Sequence, residues 1–418
     1  MNKLAIKGGK PVRTKGWPEW PIYDHTEIEG ILEVMKSRCW CSLPYIFEGK
    51  GKLFEEESKV KQLENEFAKY HDAEHGIAVN GGSTALLLSY AAAGIGPGDE
   101  VIMPPVTFVS TATAALWLNA IPIFVDVEEE TPLIDPGKIE EAITDRTKAI
   151  VPVHLGGYPC DMDRIMDIAE RHDLKVIADA CHAHGSEWKG KKVASISHLS
   201  AFSFQQEKNM TCGDGGMIIT NDDELAEKCS ELAISDRERG GEAADMIINF
   251  RMSEFQGAIA LAQFRRLDAQ ITTKETNVAY LSKRLEDVKG IRFPKRDKRI
   301  TRMPHLYPSV RYDQEALDGV PADRFAQALT AEGIPCGAVT QPRVIYKYPL
   351  FAEKRFTQRI SELYGKDVDY TKVHCPVCEG YAGKRIQFNQ TLLLGTEEDV
   401  EDFAQAVEKV KKNLNELK

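Results

Sequence analysis

From residue 76 onward the chain alternates short apolar runs with longer stretches in which apolar residues recur at helical spacing. The β-branched runs 76–80, 100–103, 121–125, 149–153 and 175–178 predict strands. The stretches 83–93, 108–118, 136–143 and 162–172 predict the helices between them. Apolar strands alternating with helices indicate an α/β fold whose mostly parallel sheet is covered on both faces. Ligands of such sheets sit beyond the carboxyl ends of the strands. That edge would hold residues 81–84, 104–108, 154–157, 179–182 and 203–208.

Residues 201–221, AFSFQQEKNMTCGDGGMIITN, predict a strand over 201–204, a glycine turn at 213–216 and a second strand over 217–220. Lys208 stands just past the first of these strands. Helices are predicted over 24–37 and over 58–70, the latter with Val60, Leu63, Phe67 and Tyr70 on one face. Residues 222–287 are helical in pattern, interrupted at 249–252. Ser253 followed by Gln256 fits a capping box that opens a long helix to about residue 285. After residue 290 the character changes: an extended stretch at 306–312, a helix over 321–332, a strand near 385–388 and a closing helix over 396–414. The expected organisation is a large domain over 61–287 and a smaller C-terminal α+β domain over 288–418. Residues 1–60 are rich in Gly, Pro and aromatics (Trp17, Trp20, Trp40, Tyr45), so they need a surface to pack on, either the body of the chain or a dimer partner.

With 418 residues the chain is long enough for both cores, and 43% apolar with 28% charged residues is the composition of an ordinary globular protein. A formal charge of −11 argues against a nucleic-acid partner, which needs a basic surface. Nine cysteines and no apolar N-terminal core point to reduced thiols and a cytoplasmic location. The uncharged window 101–125 is long enough to span a bilayer. Its Pro104, Pro105, Pro122, Asn119 and Ser110 favour strand–helix–strand, and no membrane association is expected.

Four features of the sheet edge carry chemistry. Gly81-Gly82-Ser83-Thr84 lies between a strand and a helix, where hydroxyls and free N–H groups suit a phosphate, although Ser and Thr are also ordinary helix caps. Phe108 offers a flat apolar face, or is core. Asp179 ends an apolar strand and needs a cationic or N–H partner there, or caps the next turn. Lys208, if partly desolvated, is a nucleophile toward aldehydes. Ser203 and Gln205 flank its turn as hydrogen-bonding groups. His182 and His184 have no third ligand nearby, and Cys375-x-x-Cys378 has no second such pair (Cys39-x-Cys41 has the wrong spacing), so no metal is expected. A phosphate cup, an aromatic face, a buried carboxylate and a lysine in this order fit pyridoxal 5′-phosphate (PLP). The phosphate goes to Ser83 and Thr84, the ring to Phe108, the pyridine nitrogen to Asp179 and the aldehyde to a Schiff base with Lys208. No dinucleotide glycine pattern follows an early strand, which argues against an NAD-dependent oxidoreductase.

The segments NGGSTALLL, GDEVIMPPVTFVSTATA, IPIFVDVE, VPVHLGGYPCDMDRI, VIADACHAHGSEWKGKKV, AFSFQQEKNMTCGDGGMIIT and NFRMSEFQGAIALAQ together resemble the DegT/DnrJ/EryC1/StrS family of sugar and cyclitol aminotransferases, which have fold type I. The resemblance implies cofactor roles for Ser83, Thr84, Phe108, Asp179, His182, Ser203, Gln205 and Lys208, with pyridoxamine phosphate formed in the cycle. It further implies a homodimer with active sites at the interface, where Asn249 reaches the partner's cofactor phosphate. Family dehydratases carry histidine where this chain has Lys208, so transamination is the expected reaction. GGKPVRTKGWPEWP, SFQQEK and CPVCEGY resemble the branch that uses L-glutamine and cyclitol ketones in aminoglycoside pathways, with 2-deoxy-scyllo-inosose as the expected acceptor, as in butirosin-type enzymes. An uncharged polyol ketone calls for a polar pocket, for which the N-terminal aromatics and Tyr346 are candidates, with Arg251 a candidate for the glutamine carboxylate. The competing expectations are a nucleotide-sugar aminotransferase using glutamate and a PLP-binding sensor without turnover.

Overall fold

A computed structural model describes residues 3–42, 58–233, 248–340, 343–365 and 367–418. Tyr45 lies outside them, as does the stretch 234–247 of the expected helical region. The large domain is built on a seven-stranded sheet: β1 His75–Val79, β2 Glu100–Met103, β3 Ile121–Phe124, β4 Thr147–Ile150, β5 Lys175–Asp179, β6 Leu199–Ser203 and β7 Gly216–Thr220. Their order is β1-β7-β6-β5-β4-β2-β3, and only β7 runs against the others. β2, β5 and β6 to β7 are buried almost throughout, as two-sided cover requires.

Two apolar cores, one on each face, hold this sheet. On one face Val79, Val101 and Ile177 pack with α3 Gly82–Ala92 and α4 Ser110–Trp117. On the other, Ile102, Val176 and Phe202 meet α2 Lys59–Tyr70 through Leu63 and Phe67, and α5 Met162–Arg171 through Ile165 and Ile168. The window 101–125 is strand, helix and strand, and among the described residues no helix is long and apolar enough to cross a membrane. The helix expected over 136–143 is instead two single turns, Pro136–Lys138 and Glu140–Ala142. Asp135 caps the Gly137 N–H there, and Pro136-Gly137 is poor material for continuing a helix.

Helix α6 spans Asp223–Ala233, and α7, Glu254–Arg284, links the two bodies. Its capping box forms as expected: Gln256 N donates to Ser253 Oγ at 3.3 Å, and Ser253 N to Gln256 Oε1 at 3.0 Å. The small domain is a four-stranded antiparallel sheet, in the order Ile291–Arg292, Ser309–Tyr312, Arg385–Phe388 and Cys336–Ala338, covered by helices Ala322–Ala331 and Glu397–Lys412. Residues 344–381 leave this body. Val344, Tyr346, Phe351, Tyr370, Cys375 and Cys378 pack into the large-domain core beside Phe124. The N-terminal stretch lies along the small domain, where buried Glu332 accepts from the Ala5 and Val12 N–H groups. Helix α1, His25–Ser37, lies against α7.

Candidate active site

The carboxyl end of β1 turns through Gly81 into α3, whose first turn has no side-chain cap. The unpaired N–H groups there are an anion site. Close packing forces this geometry. A Cβ on Gly82 would stand 2.6 Å from Ser203 Cβ, and one on Gly216 would stand 2.6 Å from Gly81 C and O. The two glycines let the ends of β1, β6 and β7 converge. Ser83 and Ser110 hydroxyls lie 2.6 Å apart, and Thr84 Oγ1 donates to Asn80 Oδ1 at 2.7 Å. Arg251 pairs by a backbone bridge with Val79, and its buried Nη1 has no hydrogen-bond partner. A buried guanidinium nitrogen without a hydrogen-bond partner fits an anionic group. Asn249 is exposed, and its Oδ1 accepts from Arg251 N at 3.2 Å.

Asp179 ends β5 and is 5% exposed. Oδ1 accepts from Cys181 N at 3.2 Å and Oδ2 from Thr111 Oγ1 at 2.7 Å. A buried carboxylate without a protein cation is costly, so two donors orient it and leave it a partner for a cationic ligand nitrogen. Their own burial, and then the charge of Asp179, push the neighbouring Tyr90 hydroxyl and Cys181 thiol well above their ordinary values. Phe108, in the loop between β2 and α4, is 64% exposed, which is unusual for phenylalanine and leaves its flat ring available.

Lys208 stands in the turn after β6, is 9% exposed, and donates its backbone N–H to Gln205 O at 2.9 Å. Among the described residues its ammonium has no hydrogen-bond or ion-pair partner. Ser203 Oγ accepts from Gln205 N at 3.3 Å and keeps its own proton to donate, whereas Gln205 Oε1 is taken by Glu207 N at 2.9 Å. His182 is buried, accepts from Gly156 N at 3.2 Å through Nδ1 and meets Tyr307 edge-on. Burial, and then the charge of Lys208, hold its imidazole neutral, well below its ordinary value. His184 donates through Nε2 to Ser203 O at 3.0 Å.

The structure thus gathers Ser83, Thr84, Phe108, Asp179, His182, Ser203, Gln205 and Lys208 at one sheet edge, with Arg251 beside the helix start. Tyr346 differs from expectation. It is 2% exposed in the core, and its hydroxyl is committed at both ends, donating to Glu379 Oε1 at 2.6 Å and accepting from Cys375 N at 2.9 Å. Its one proton is spent, so, buried as it is, it cannot donate to a substrate. Thr111, Ser110 and Asn80 are site residues that nothing in the apolar pattern singles out. Their only signal is hydroxyls and an amide one turn from residues already picked. A cleft of about 400 Å³ opens beside the lysine turn, lined by Trp20, Glu207, Tyr307, Asn389 and Gln390. Trp20 Nε1 donates to Gln206 O at 2.6 Å, which ties the N-terminal segment to that turn.

The model of the DegT/DnrJ/EryC1/StrS aminotransferase family matches residues 48–387. A Streptoalloteichus tenebrarius protein named L-glutamine:2-deoxy-scyllo-inosose aminotransferase is 34% identical over 430 residues, covering 99% of each chain. A Micromonospora echinospora protein provisionally named for L-glutamine:3-amino-2,3-dideoxy-scyllo-inosose transamination is 34% identical over 425 residues, covering 100% of this chain and 99% of the other. Among solved structures, 3-amino-5-hydroxybenzoic acid synthase superposes with a TM-score of 0.81 at 29% identity, covering 95% of this chain and 99% of that one. DesI, solved in the presence of its TDP-sugar product, superposes with a TM-score of 0.81 at 25% identity, covering 99% and 97%.

Proposed function

Because the chain belongs to the DegT/DnrJ/EryC1/StrS aminotransferase family, whose members depend on PLP, we propose that it moves the amino group of L-glutamine to a cyclitol ketone, 2-deoxy-scyllo-inosose. The observation that carries the chemistry is Lys208: buried, without a hydrogen-bond or ion-pair partner among the described residues, and in the turn after β6, the strand next to the one that ends in Asp179. The names of full-length relatives support the choice of donor and acceptor.

In this reading Lys208 Nζ would hold PLP, which when bound would supply a ring that accepts the electron pair released at the substrate carbon. The uncapped start of α3, Ser83 and Thr84 would hold the phosphate, and Arg251, with its unpartnered Nη1, would take the carboxylate of glutamine. Asp179, oriented by Thr111 and the Cys181 N–H, keeps a proton on the ring nitrogen. Phe108 covers one ring face, and Ser203 donates from the edge. Lys208 Nζ would be the base that takes the proton from the donor's Cα and the acid that then passes it on. In the second half it returns a proton to the carbon that becomes the amine carbon. Among the described residues no hydrogen bond or ion pair holds Lys208 Nζ away from these positions. The cleft beside it, with Trp20, Tyr307 and the Asn389 amide, offers stacking faces and hydrogen bonds suited to an uncharged polyol.

The active unit in this reading is a cytoplasmic homodimer. Ile28, Leu32 and Met35 on α1, together with Trp40, form an exposed apolar strip suited to a second copy, whose Asn249 would reach this chain's phosphate. The large domain is 61–287 with 344–381 added, and the rest of 288–418 forms the small domain. The test is transfer of label from L-[α-15N]glutamine. Labelled amine on 2-deoxy-scyllo-inosose is the expected product. Label appearing only on a nucleotide-linked keto sugar, and only from glutamate, would contradict it.

A further inference from the structure

Lys274, in the middle of α7, is fully buried and among the described residues faces no carboxylate. Its Nζ donates to Asn209 Oδ1 at 2.9 Å and to Gln390 Oε1. What lies behind each amide fixes its orientation. Asn209 Nδ2 donates to His182 O at 3.2 Å. Gln390 Nε2 donates to Glu207 O at 3.0 Å and to Lys208 O at 3.3 Å. Carbonyls only accept, so both NH2 groups must face them and both amide oxygens must face Lys274. Lysine supplies donors alone to two acceptors that have no other donor among the described residues. One closed set of bonds therefore runs from α7, through the turn before the last helix, to the main chain on both sides of the lysine read above as catalytic.

We propose that Lys274 is a positioning residue, acting through Gln390 and Asn209 to fix the backbone at 207–209 and so the approach of Lys208 Nζ to the reacting carbon. This rests on the assignment of Lys208 made above. Burial without a counter-charge lowers the Lys274 ammonium to about 7. His184 and His305 are the titratable groups that feel its charge. Around neutrality it can lose a proton and keep both bonds, because an amine still has two N–H groups for two acceptors. The clamp thus holds in either protonation state. It also joins the small domain, which carries Gln390, to the catalytic turn of the large one.

The test compares the native protein with Lys274→Met, Lys274→Arg and Gln390→Met. In the PLP-free proteins, amide hydrogen exchange over 204–212 should be about tenfold faster in both methionine variants, with no change over β2 and β4. In the PLP-loaded proteins, the single-turnover rate constant for bleaching by saturating L-glutamine or L-glutamate should fall about 10- to 100-fold. The half-saturating concentration should stay unchanged, and Lys274→Arg should recover most of the rate. If Lys274→Met does not fold, Gln390→Met decides by the same two readings. Native exchange over 204–212 and a native bleaching rate in the methionine variants, with only the melting temperature lowered, would overturn the inference alone. A native protein that takes up PLP but never bleaches with either donor would overturn the Lys208 assignment and this inference with it.

Discussion

Replacing Gly216 with alanine puts a methyl group where the main chain already is. Its Cβ would lie 2.6 Å from both C and O of Gly81 and 2.9 Å from Gly82 N. Ordinary carbon contact is about 3.5 Å, so the turn must retreat by roughly 0.9 Å. The obstructing atoms are backbone and cannot rotate away. Gly216 is held in register on both sides, opposite Val79 on β1 and Ser203 on β6. Overpacking of this kind costs about 1–3 kcal/mol, offset by about 0.4–1 kcal/mol from the stiffer unfolded chain. The net loss should lower melting by a few degrees. The effect on the anion site should be larger. A retreat of that size takes a 2.9 Å bond from the Gly82 region out of hydrogen-bonding range, and each bond to a charged group is worth about 1.5–3 kcal/mol. The PLP dissociation constant should therefore rise about 10- to 100-fold. Titrating the PLP-free variant by absorbance, and melting it with and without PLP, measures both effects. Gly213→Ala is the control: its Cβ meets nothing, but φ is +88°, so it should lose stability and keep its affinity. A Gly216→Ala protein that binds PLP within twofold of native would refute the reasoning.

Three further outcomes follow from buried contacts. Thr111→Val keeps the shape and removes the donor to Asp179 Oδ2, so the PLP-free protein should lose about 1.5–3 kcal/mol in urea unfolding, whereas Thr111→Ser should lose about 1 kcal/mol; the reverse order would show that the methyl, not the hydroxyl, matters. His71 accepts from Gly185 N through Nε2, His154 accepts from Cys160 N through Nδ1, and burial lowers both to about 3. The unfolded chain takes up these protons near 6.5 and the folded chain only near 3, so stability should fall as pH drops from about 6.5, by about 2 kcal/mol per histidine at pH 5; equal urea midpoints at pH 7 and pH 5 would contradict this. Glu332, wholly buried, accepts from Ala5 N, Val12 N and Lys409 Nζ, so Glu332→Ala should cost about 3–5 kcal/mol while leaving the PLP spectrum unchanged; a changed spectrum would mean that the clasp reaches the site.

The parts of the fold that depend on short-range pattern were legible in advance. The strands ending at Asp179 and Ser203 announce themselves as apolar runs, and Ser253 with Gln256 marks the start of α7. Their order along the chain was enough to set Ser83, Phe108, Asp179 and Lys208 on one edge. What escaped was tertiary. A lysine in a helix reads as solvated, and nothing near Lys274 reveals that Asn209 and Gln390, 65 and 116 residues away, will close over it. Thr111 looks like one more small helical residue until β5 places Asp179 against it. Tyr346 is a polar-tipped aromatic in an irregular stretch, and only the return of 344–381 to the large core shows that its hydroxyl is already used.

The most direct measurement is the visible spectrum of the purified protein and of Lys208→Ala, each with PLP, before and after L-glutamine. A yellow native protein that bleaches with glutamine and regains colour with 2-deoxy-scyllo-inosose is the predicted result, with Lys208→Ala binding PLP but showing no such cycle. A colourless native protein that takes up no PLP, or a Lys208→Ala variant that cycles at the native rate, would contradict the account.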